Sequence, residues 1–277
     1  MPVEKLLGAA LDPRAALIRM WRKAGWGSFE LRLKYDAVER PHYAYGLHHA
    51  ARLAGVLGLP AVAAIEFGVA GGNGLLSMGR LAREVSRITG VKIEVYGFDT
   101  GQGLPKGEDY RDLPYLWPEG SYAMDVAALQ ARIGDNTSLI LGDVRETAAR
   151  FVATHHPAPI GFIAFDMDLY SSTRDAFEML RSPSEAMLPR VLCYFDDLAG
   201  GTDFALHCDA VGELAAIAEY NATAGAERCL AQVNGLQGRR AMRSRWAAQM
   251  YAHHIFGHSQ YNTYVFPGTS RQLELQS

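Results

Sequence analysis

Residues 62–74 read Val-Ala-Ala-Ile-Glu-Phe-Gly-Val-Ala-Gly-Gly-Asn-Gly, an apolar run that ends in a carboxylate and passes into four glycines. The apolar run predicts a buried strand, and the glycines predict a turn where a ligand can approach the backbone closely. Apolar residues then recur at helical spacing as far as Gly90, which predicts a helix that ends there. Together these features predict the first strand, loop and helix of a parallel α/β sheet.

The same alternation of strand and helix continues along the chain. We predict six further strands, at residues 93–98, 137–141, 160–165, 191–195, 228–233 and 262–266. Helical segments between the strands are typical of a doubly wound sheet that carries helices on both faces. The sequence therefore predicts a mostly parallel, seven-stranded, Rossmann-like sheet.

Two segments fall outside this alternation. Residues 1–60 have a helical pattern, and Pro41 stands where a helix can begin. Residues 238–258 are interpreted as an inserted helix before the last strand. Because neither segment has the length or apolar content of a separate core, we predict one domain over 1–277. In it, 61–237 form the core, 1–60 and 238–258 cap its functional edge, and 259–277 hold the last strand and tail.

Composition narrows the class of protein. The 277 residues are 49% hydrophobic and 21% charged, with a formal net charge of −3, so we expect no nucleic-acid partner. No apolar run approaches the ~18 residues of a membrane span, so we expect no membrane association. The three cysteines are far apart and lack a Cys-x-x-Cys spacing, and the N-terminus lacks a secretory pattern. These features predict a cytoplasmic protein.

Each of the first five predicted strands ends in a carboxylate. These residues are Glu66, Asp99, Asp143, Asp166 and the pair Asp196 and Asp197. Ligands bind beyond the carboxyl ends of strands in open α/β sheets, and clustered carboxylates repel one another unless cations or donors separate them. Residues 72–77 half-match the Gly-x-Gly-x-x-Gly pattern of dinucleotide sites, but these carboxylates would oppose a pyrophosphate. A sulfonium and an amine would suit the site better.

The Glu-Phe-Gly-x-x-x-Gly stretch that ends at Gly72 resembles the first motif of class I S-adenosylmethionine-dependent methyltransferases. The resemblance implies that Glu66, Gly68 and Gly72 hold the amino acid part of the cofactor. It also implies that Asp99 accepts the ribose hydroxyls and that Asp143 lies near the adenine amine. Either aspartate taken alone would fit a helix cap or a turn equally well.

Two later motifs resemble the macrocin O-methyltransferase family, and the resemblance covers about residues 62–210. They are Asp-Met-Asp-Leu-Tyr-Ser-Ser-Thr at 166–173 and the Asp196-Asp197 pair, supported by Phe-Asp at 98–99 and Gly-Leu-Pro at 103–105. The family commonly has glycine where this chain has Met167, and often an acidic residue before Gly-Leu-Pro. The resemblance implies transfer of a methyl group to a hydroxyl of a small acceptor, such as a sugar or phenol of secondary metabolism.

The same resemblance implies a divalent cation, usually Mg²⁺, bound by Asp166, Asp196 and Asp197. Carboxylate oxygens are the ligands that Mg²⁺ prefers. Asp166 would then act as general base, with a histidine of the second cap, such as His254, as the competing candidate. The favoured interpretation of Asp168 is a helix cap. Dimers are common among such enzymes, so we expect a homodimer.

Several alternatives stay open. The Asp-x-Asp triplet at 166–168 also resembles that of metal-dependent nucleotide-sugar glycosyltransferases, and a non-catalytic relative could bind the cofactor without transferring a methyl group. The histidines at 253, 254 and 258 fit packing or contact with the acceptor. The arginines at 239, 240, 243 and 245 fit a solvated helix face or a contact with an acidic acceptor. The acceptor itself cannot be identified from the sequence.

Overall fold

The computed structural model describes residues 13–198 and 202–266, and its centre is a seven-stranded sheet in the order β3-β2-β1-β4-β5-β7-β6. The strands are β1 Ala61–Phe67, β2 Lys92–Asp99, β3 Thr137–Leu141, β4 Ile160–Phe165, β5 Met187–Phe195, β6 Arg228–Gln232 and β7 Met250–Ile255. Strands β1 to β5 are parallel, and β7 is antiparallel to both of its neighbours. The predicted mostly parallel, seven-stranded sheet is confirmed.

Helices cover both faces of this sheet. They are α1 Pro13–Ala24, α2 Phe29–Lys34, α3 Pro41–Val56, α4 Asn73–Thr89, α5 Val126–Gln130, α6 Val144–His155, α7 Tyr170–Ala176, α8 Gly212–Thr223 and α9 Leu236–Arg239. Successive side chains of a strand point to opposite faces, so Val62 and Ala64 join the apolar cluster under α3 and α4. Ala63 and Ile65 join the cluster under α6, α7 and α8. The sheet is therefore doubly wound, as predicted.

The N-terminal segment differs from its predicted role as a cap. Pro41 begins α3 as expected, but α3 packs along the face of the sheet rather than over its edge. A Cβ on Gly46 would lie 2.2 Å from the Phe162 ring of β4, which shows how closely the helix approaches the strand. Only the first turn of α3 reaches the carboxyl edge of the sheet. The part of the predicted cap at residues 1–12 lies outside the described residues.

The predicted position of the last strand is wrong. Residues 262–266 form no strand, and β7 lies instead at Met250–Ile255, inside the segment predicted as an inserted helix. The helical part of that segment is limited to α9 and a 3₁₀ turn at Arg245–Ala248. The polar His253 enters the sheet because its ring nitrogen shares a 2.8 Å hydrogen bond with the hydroxyl of Tyr220. Across the described ranges, no helix is long and apolar enough to cross a membrane.

Candidate functional site

The glycine loop between β1 and α4 brings backbone close to two other groups. Gly68 has a φ of +83°, and a Cβ there would lie 1.8 Å from the carbonyl oxygen of Asp166. A Cβ on Gly74 would lie 1.9 Å from Oε1 of Glu66. A side chain at either position would collide with the neighbouring group, so both glycines are required by geometry. Gly72 precedes α4, and a Cβ there would meet Leu129 of α5.

Asp99, at the end of β2, holds the glycine loop in place. Its Oδ2 accepts hydrogen bonds from the backbone N–H groups of Val69 at 3.0 Å and Ala70 at 2.8 Å. Its Oδ1 accepts the N–H of Gly101 at 2.7 Å. A carboxylate has about four acceptor positions, so Asp99 retains about one position for a hydroxyl donor.

Asp143 has the helix-capping role that the sequence left open. Its Oδ1 accepts the N–H of Arg145 at 2.9 Å at the start of α6. The same aspartate also lines a pocket of about 370 Å³ together with Asp99. Apolar walls of this pocket include Phe98, Leu104 and Val144. Only Oδ1 takes part in this capping hydrogen bond, so Oδ2 of Asp143 is not used by it.

A second pocket, of about 800 Å³, adjoins the first. The lining residues that both pockets share are Gly68, Ala70, Tyr122, Asp166 and Asp168. Glu66, Asp196 and Asp197 line the second pocket. Of the predicted site residues, only Gly72 lines neither pocket within the described structure. The cavity therefore brings the other predicted cofactor and metal residues to one continuous site.

Glu66 is a buried carboxyl with one free oxygen. Only 1% of the residue is exposed, and its Oε1 accepts the hydroxyl of Tyr43 at 2.6 Å. Its Oε2 has no hydrogen-bond partner among the described residues. Burial, and to a lesser degree the charge of Asp166, raises the pKa of Glu66 to about 8. A bound cation would supply the missing partner and restore the ionised form.

Four aspartates, at positions 166, 168, 196 and 197, follow the ends of β4 and β5. Phe165 and Phe195 are paired in register, so Asp166 and Asp196 follow side by side on neighbouring strands. Burial, then the charges of Asp196 and Asp197, raises the pKa of Asp166 to about 8. Burial, and after it the charges of nearby aspartates, raise the pKa values of both Asp168 and Asp197 as well. The cluster therefore holds protons near neutral pH when no cation is bound.

The predicted magnesium ligands do not fit a metal site as they are arranged. Oδ1 of Asp196 accepts the hydroxyl of Tyr194 at 2.6 Å, and Oδ2 of Asp197 accepts the backbone N–H of Asp168 at 3.1 Å. In the ranges that the structure describes, no three acidic, histidine or cysteine side chains form a group that could hold a metal ion. The prediction of magnesium therefore gains no support from this geometry.

Asp168 is not the helix cap that the sequence favoured. Leu169 is the residue before α7, and its own side chain makes no capping hydrogen bond. Asp168 has a φ of +60°, a left-handed conformation that is uncommon outside glycine. Asp112, from a 3₁₀ turn in the preceding loop, accepts the N–H of Ser171 at 2.7 Å instead. This partner is distant in sequence, which explains why local spacing did not identify it.

Sequence reasoning missed Glu213, in the first turn of α8. The residue is fully buried, and its Oε2 accepts the backbone N–H of Asp197 at 3.0 Å. Its Oε1 has no hydrogen-bond partner in the described part of the chain, and burial together with the charge of Asp197 raises its pKa well above the usual range. An acidic residue on the apolar face of a helix was the available signal.

The histidines of β7 lie away from the cavity. In register, His254 faces Arg190, five residues before β5 ends at Phe195, so His254 is about 16 Å from the carboxyl end of β5. Nδ1 of His254 shares a 2.9 Å hydrogen bond with the Tyr261 hydroxyl. His254 as general base is therefore wrong.

The two other histidines of this region are also structural. His253 is buried against Tyr220, and burial lowers its pKa to about 3. Nε2 of His258 lies 3.1 Å from the carbonyl oxygen of Met187, at the start of β5. Packing, rather than acceptor contact, is the interpretation that the structure supports for both.

The four clustered arginines separate into different environments. Arg240 forms a 2.7 Å ion pair with Asp36 and lies over the Trp246 ring, so it joins two parts of the fold. Arg239 and Arg243 are exposed, as expected for a solvated surface. Arg245 lines the second pocket.

Neither a protein-family model nor a curated protein matches the chain. Among the solved structures that are similar to it are two with TM-scores above 0.5. The O-methyltransferase NovP is 16% identical with a TM-score of 0.52, over 76% of this chain and 78% of that one. CalS11, a calicheamicin methyltransferase, is 19% identical with a TM-score of 0.51, over 89% of this chain and 94% of that one. The chain therefore shares its fold with these two methyltransferases.

Proposed function

We propose that the protein is an S-adenosylmethionine-dependent O-methyltransferase that acts on a small hydroxylated acceptor. The observation that carries the proposal is the buried Glu66 carboxyl, which lines the second pocket beside the glycine loop and has one oxygen without a hydrogen-bond partner among the described residues. A buried acid without a partner is costly, and a ligand ammonium group would offset that cost. This requirement favours a cationic cofactor over a nucleoside diphosphate.

The first pocket would hold the nucleoside end of the cofactor. Its apolar walls, formed by residues such as Phe98 and Val144, suit a flat base, and Asp99 retains acceptor capacity for a ribose hydroxyl. Asp143 lines the same pocket and would accept from the adenine amine. Glu66 and the loop from Gly68 would hold the amino acid end. When bound, the cofactor supplies the electrophilic methyl group.

Asp166 is the residue we propose as general base. It lines both pockets, so it lies at the junction between the cofactor part and the remaining space of the cavity. Burial raises its pKa to about 8, which is close to the ideal for a base that operates near neutral pH. Its carboxylate would accept the proton of the acceptor hydroxyl. Trp117, Tyr122 and Trp246 would enclose the acceptor and exclude water from it.

Magnesium remains a prediction from the sequence, because the side chains of Asp166, Asp196 and Asp197 do not converge on one point in the described structure. The proton transfer proposed here depends on Asp166 alone. Methyl transfer measured in a chelator and with added Mg²⁺ separates the two cases. If methyl transfer requires Mg²⁺ in the wild-type protein and this requirement disappears in Asp196→Ala, the metal site is supported. Equal rates of methyl transfer in chelator and in added Mg²⁺ would oppose it.

Calorimetric titration with S-adenosylhomocysteine, with and without Mg²⁺, tests the proposed function. We expect binding by the wild-type protein and a loss of roughly 10-fold or more in Glu66→Gln, since the amide cannot neutralise an ammonium group. Glu185→Gln, at an exposed position away from the cavity, is the matched control and should bind normally. Binding of a nucleoside diphosphate in place of S-adenosylhomocysteine would instead support a glycosyltransferase.

A positive titration leads to a second test, with a panel of hydroxylated acceptors. Formation of a methylated product would support the enzyme assignment. Tight cofactor binding without transfer to any sugar or phenol in a broad panel would favour a non-catalytic relative.

A further inference from the structure

Arg40 places a cation at the second pocket, immediately before α3. The residue has φ 41° and ψ 72°, a left-handed conformation that residues other than glycine rarely adopt. Pro41 follows it, and a proline normally restricts the preceding residue to extended backbone. Such backbone strain persists only where the surroundings fix it, and it concentrates at functional sites.

The guanidinium of Arg40 acts on the same acids that line the pocket. Its Cζ lies 5.2 Å from the ring centre of Tyr43, whose hydroxyl donates to Glu66. The charge of Arg40 opposes the rise in the pKa of both Glu66 and Asp166. Arg40 also lines the second pocket together with Glu66 and the glycine loop. A positive charge and a free carboxyl oxygen therefore lie at one end of the cavity.

The amino acid end of the proposed cofactor is a zwitterion, so it needs two partners of opposite charge. Glu66 offers an acceptor for the ammonium group but would repel the cofactor carboxylate, as would Asp166, Asp196 and Asp197. The basic residues among the described lining of this pocket are Arg40 and Arg245. Of these two, Arg40 is the cation beside the Tyr43–Glu66 hydrogen bond.

We propose that Arg40 binds the carboxylate of the cofactor's amino acid end while Glu66 binds its ammonium group. This inference rests on the proposed function and adds a residue to the cofactor site that the sequence motifs did not indicate. A guanidinium can bind a carboxylate through two parallel hydrogen bonds, which also fixes its orientation. The pocket would then select cofactors that carry the complete amino acid.

The test compares two ligands by calorimetry on the full chain: S-adenosylhomocysteine and S-adenosyl-3-thiopropylamine, which differs from it by lacking the carboxylate. We expect the wild-type protein to prefer S-adenosylhomocysteine by about 10-fold or more. In Arg40→Gln, affinity for S-adenosylhomocysteine should fall by a similar factor, while affinity for the amine changes less than about 2-fold. Arg40→Lys, which keeps the charge but not the bidentate geometry, should retain part of the preference.

Arg245→Gln is the matched control, because it removes the other cation of the pocket, and it should keep the wild-type ratio of the two affinities. Loss of the ratio in Arg245→Gln rather than in Arg40→Gln would overturn the assignment. Equal losses for both ligands in Arg40→Gln would indicate a structural role and overturn it too. If the wild-type protein binds both ligands equally, only this inference fails. If it binds neither, the proposed function fails as well.

Discussion

The two edges of the sheet bury different kinds of polar side chain. Toward the amino edge, His253, His254 and His258 each make a hydrogen bond within the protein, although Nδ1 of the buried His253 has no partner among the described residues. At the carboxyl edge, Glu66 and Glu213 each keep a buried oxygen without a hydrogen-bond partner among the described residues. Buried polar groups are normally paired, so each unpaired atom needs an explanation, and for Glu66, which lines the second pocket, a missing ligand supplies one.

Burial also makes both kinds of group neutral, with different consequences. It lowers the pKa of His253 to about 3 and raises that of Glu66 to about 8. An acid near pH 8 can lose its proton when a cation binds, whereas His253 stays neutral throughout the physiological range. The carboxyl edge can therefore respond to a cationic ligand, and the β7 histidines serve the fold.

The largest predicted effect is the fall in activity when the proposed base at the carboxyl edge is removed. Asp166→Asn should lower kcat by about 10²- to 10⁴-fold, because the amide cannot accept the acceptor's proton. Binding of S-adenosylhomocysteine should change by less than about 3-fold. Steady-state methyl transfer and calorimetry on the same preparation measure the two quantities.

His254→Asn is the control at the other edge, and its kcat should stay within about 2-fold of the wild type. A strong loss of activity in this variant, with normal stability, would show that the edges had been assigned the wrong roles. Full activity in Asp166→Asn would contradict the proposed base directly.

A predicted effect of intermediate size concerns how the stability of the ligand-free protein changes with pH. The pKa values of Glu66 and Asp166 are about 8 in the folded protein, against 4.5 and 3.8 ordinarily, so from pH 7 until these protons are released by pH 9 the folded state holds protons that the unfolded state has already lost. Stability should therefore fall as pH rises through this window, by about 1 kcal/mol per group, or a decrease of roughly 5 °C in Tm.

Thermal unfolding at pH 7, 8 and 9 measures this decrease. Glu66→Gln should flatten the decrease in part, because the amide does not titrate, and S-adenosylhomocysteine should reduce it by stabilising the ionised form. A Tm that rises from pH 7 to 9 in the ligand-free protein would contradict the proton occupancy described for the carboxyl edge.

The smallest predicted effect concerns the hydrogen bond that Tyr43 donates to Glu66. Tyr43→Phe removes the 2.6 Å hydrogen bond to Oε1 without removing the ring. We expect affinity for S-adenosylhomocysteine to fall about 5-fold, since a neutral hydrogen bond contributes about 1 kcal/mol. Unchanged affinity, measured by calorimetry, would show that the free oxygen alone orients the ligand. Tyr45→Phe, on the same helix but outside both pockets of the cavity, is the matched control.

The sequence predicted those parts of the molecule that depend on local pattern. The strand ends at Glu66, Asp99 and Asp166 were recognisable because an apolar run stops at a carboxylate in each case. The strand at 262–266 was predicted wrongly because its apolar residues fit the pattern, whereas the true β7 contains two adjacent histidines. A polar residue becomes compatible with a buried strand only through a distant partner, which here is Tyr220 for His253.

Two contacts within the site could not be predicted from the sequence, for the same reason. Tyr43 is 23 positions from Glu66, and Glu213 is 16 positions from Asp197. Each enters the site from a helix that the topology, rather than any motif, brings to the carboxyl edge. Asp166 and Asp196 were predicted as metal ligands from motif resemblance, but resemblance gives residue types and not the direction of their oxygens.

The strand order has a consequence for synthesis on the ribosome. β6 is an edge strand whose neighbour in the sheet is β7, yet β6 precedes β7 in the chain. Residues 228–232 are therefore synthesised first and remain unpaired until residues 250–255 have been made. Residues 250–255 can then pair between β5 and residues 228–232. We expect a nascent chain arrested with residue 249 exposed to remain open to protease at 228–232, and one arrested well beyond 255 to be protected there.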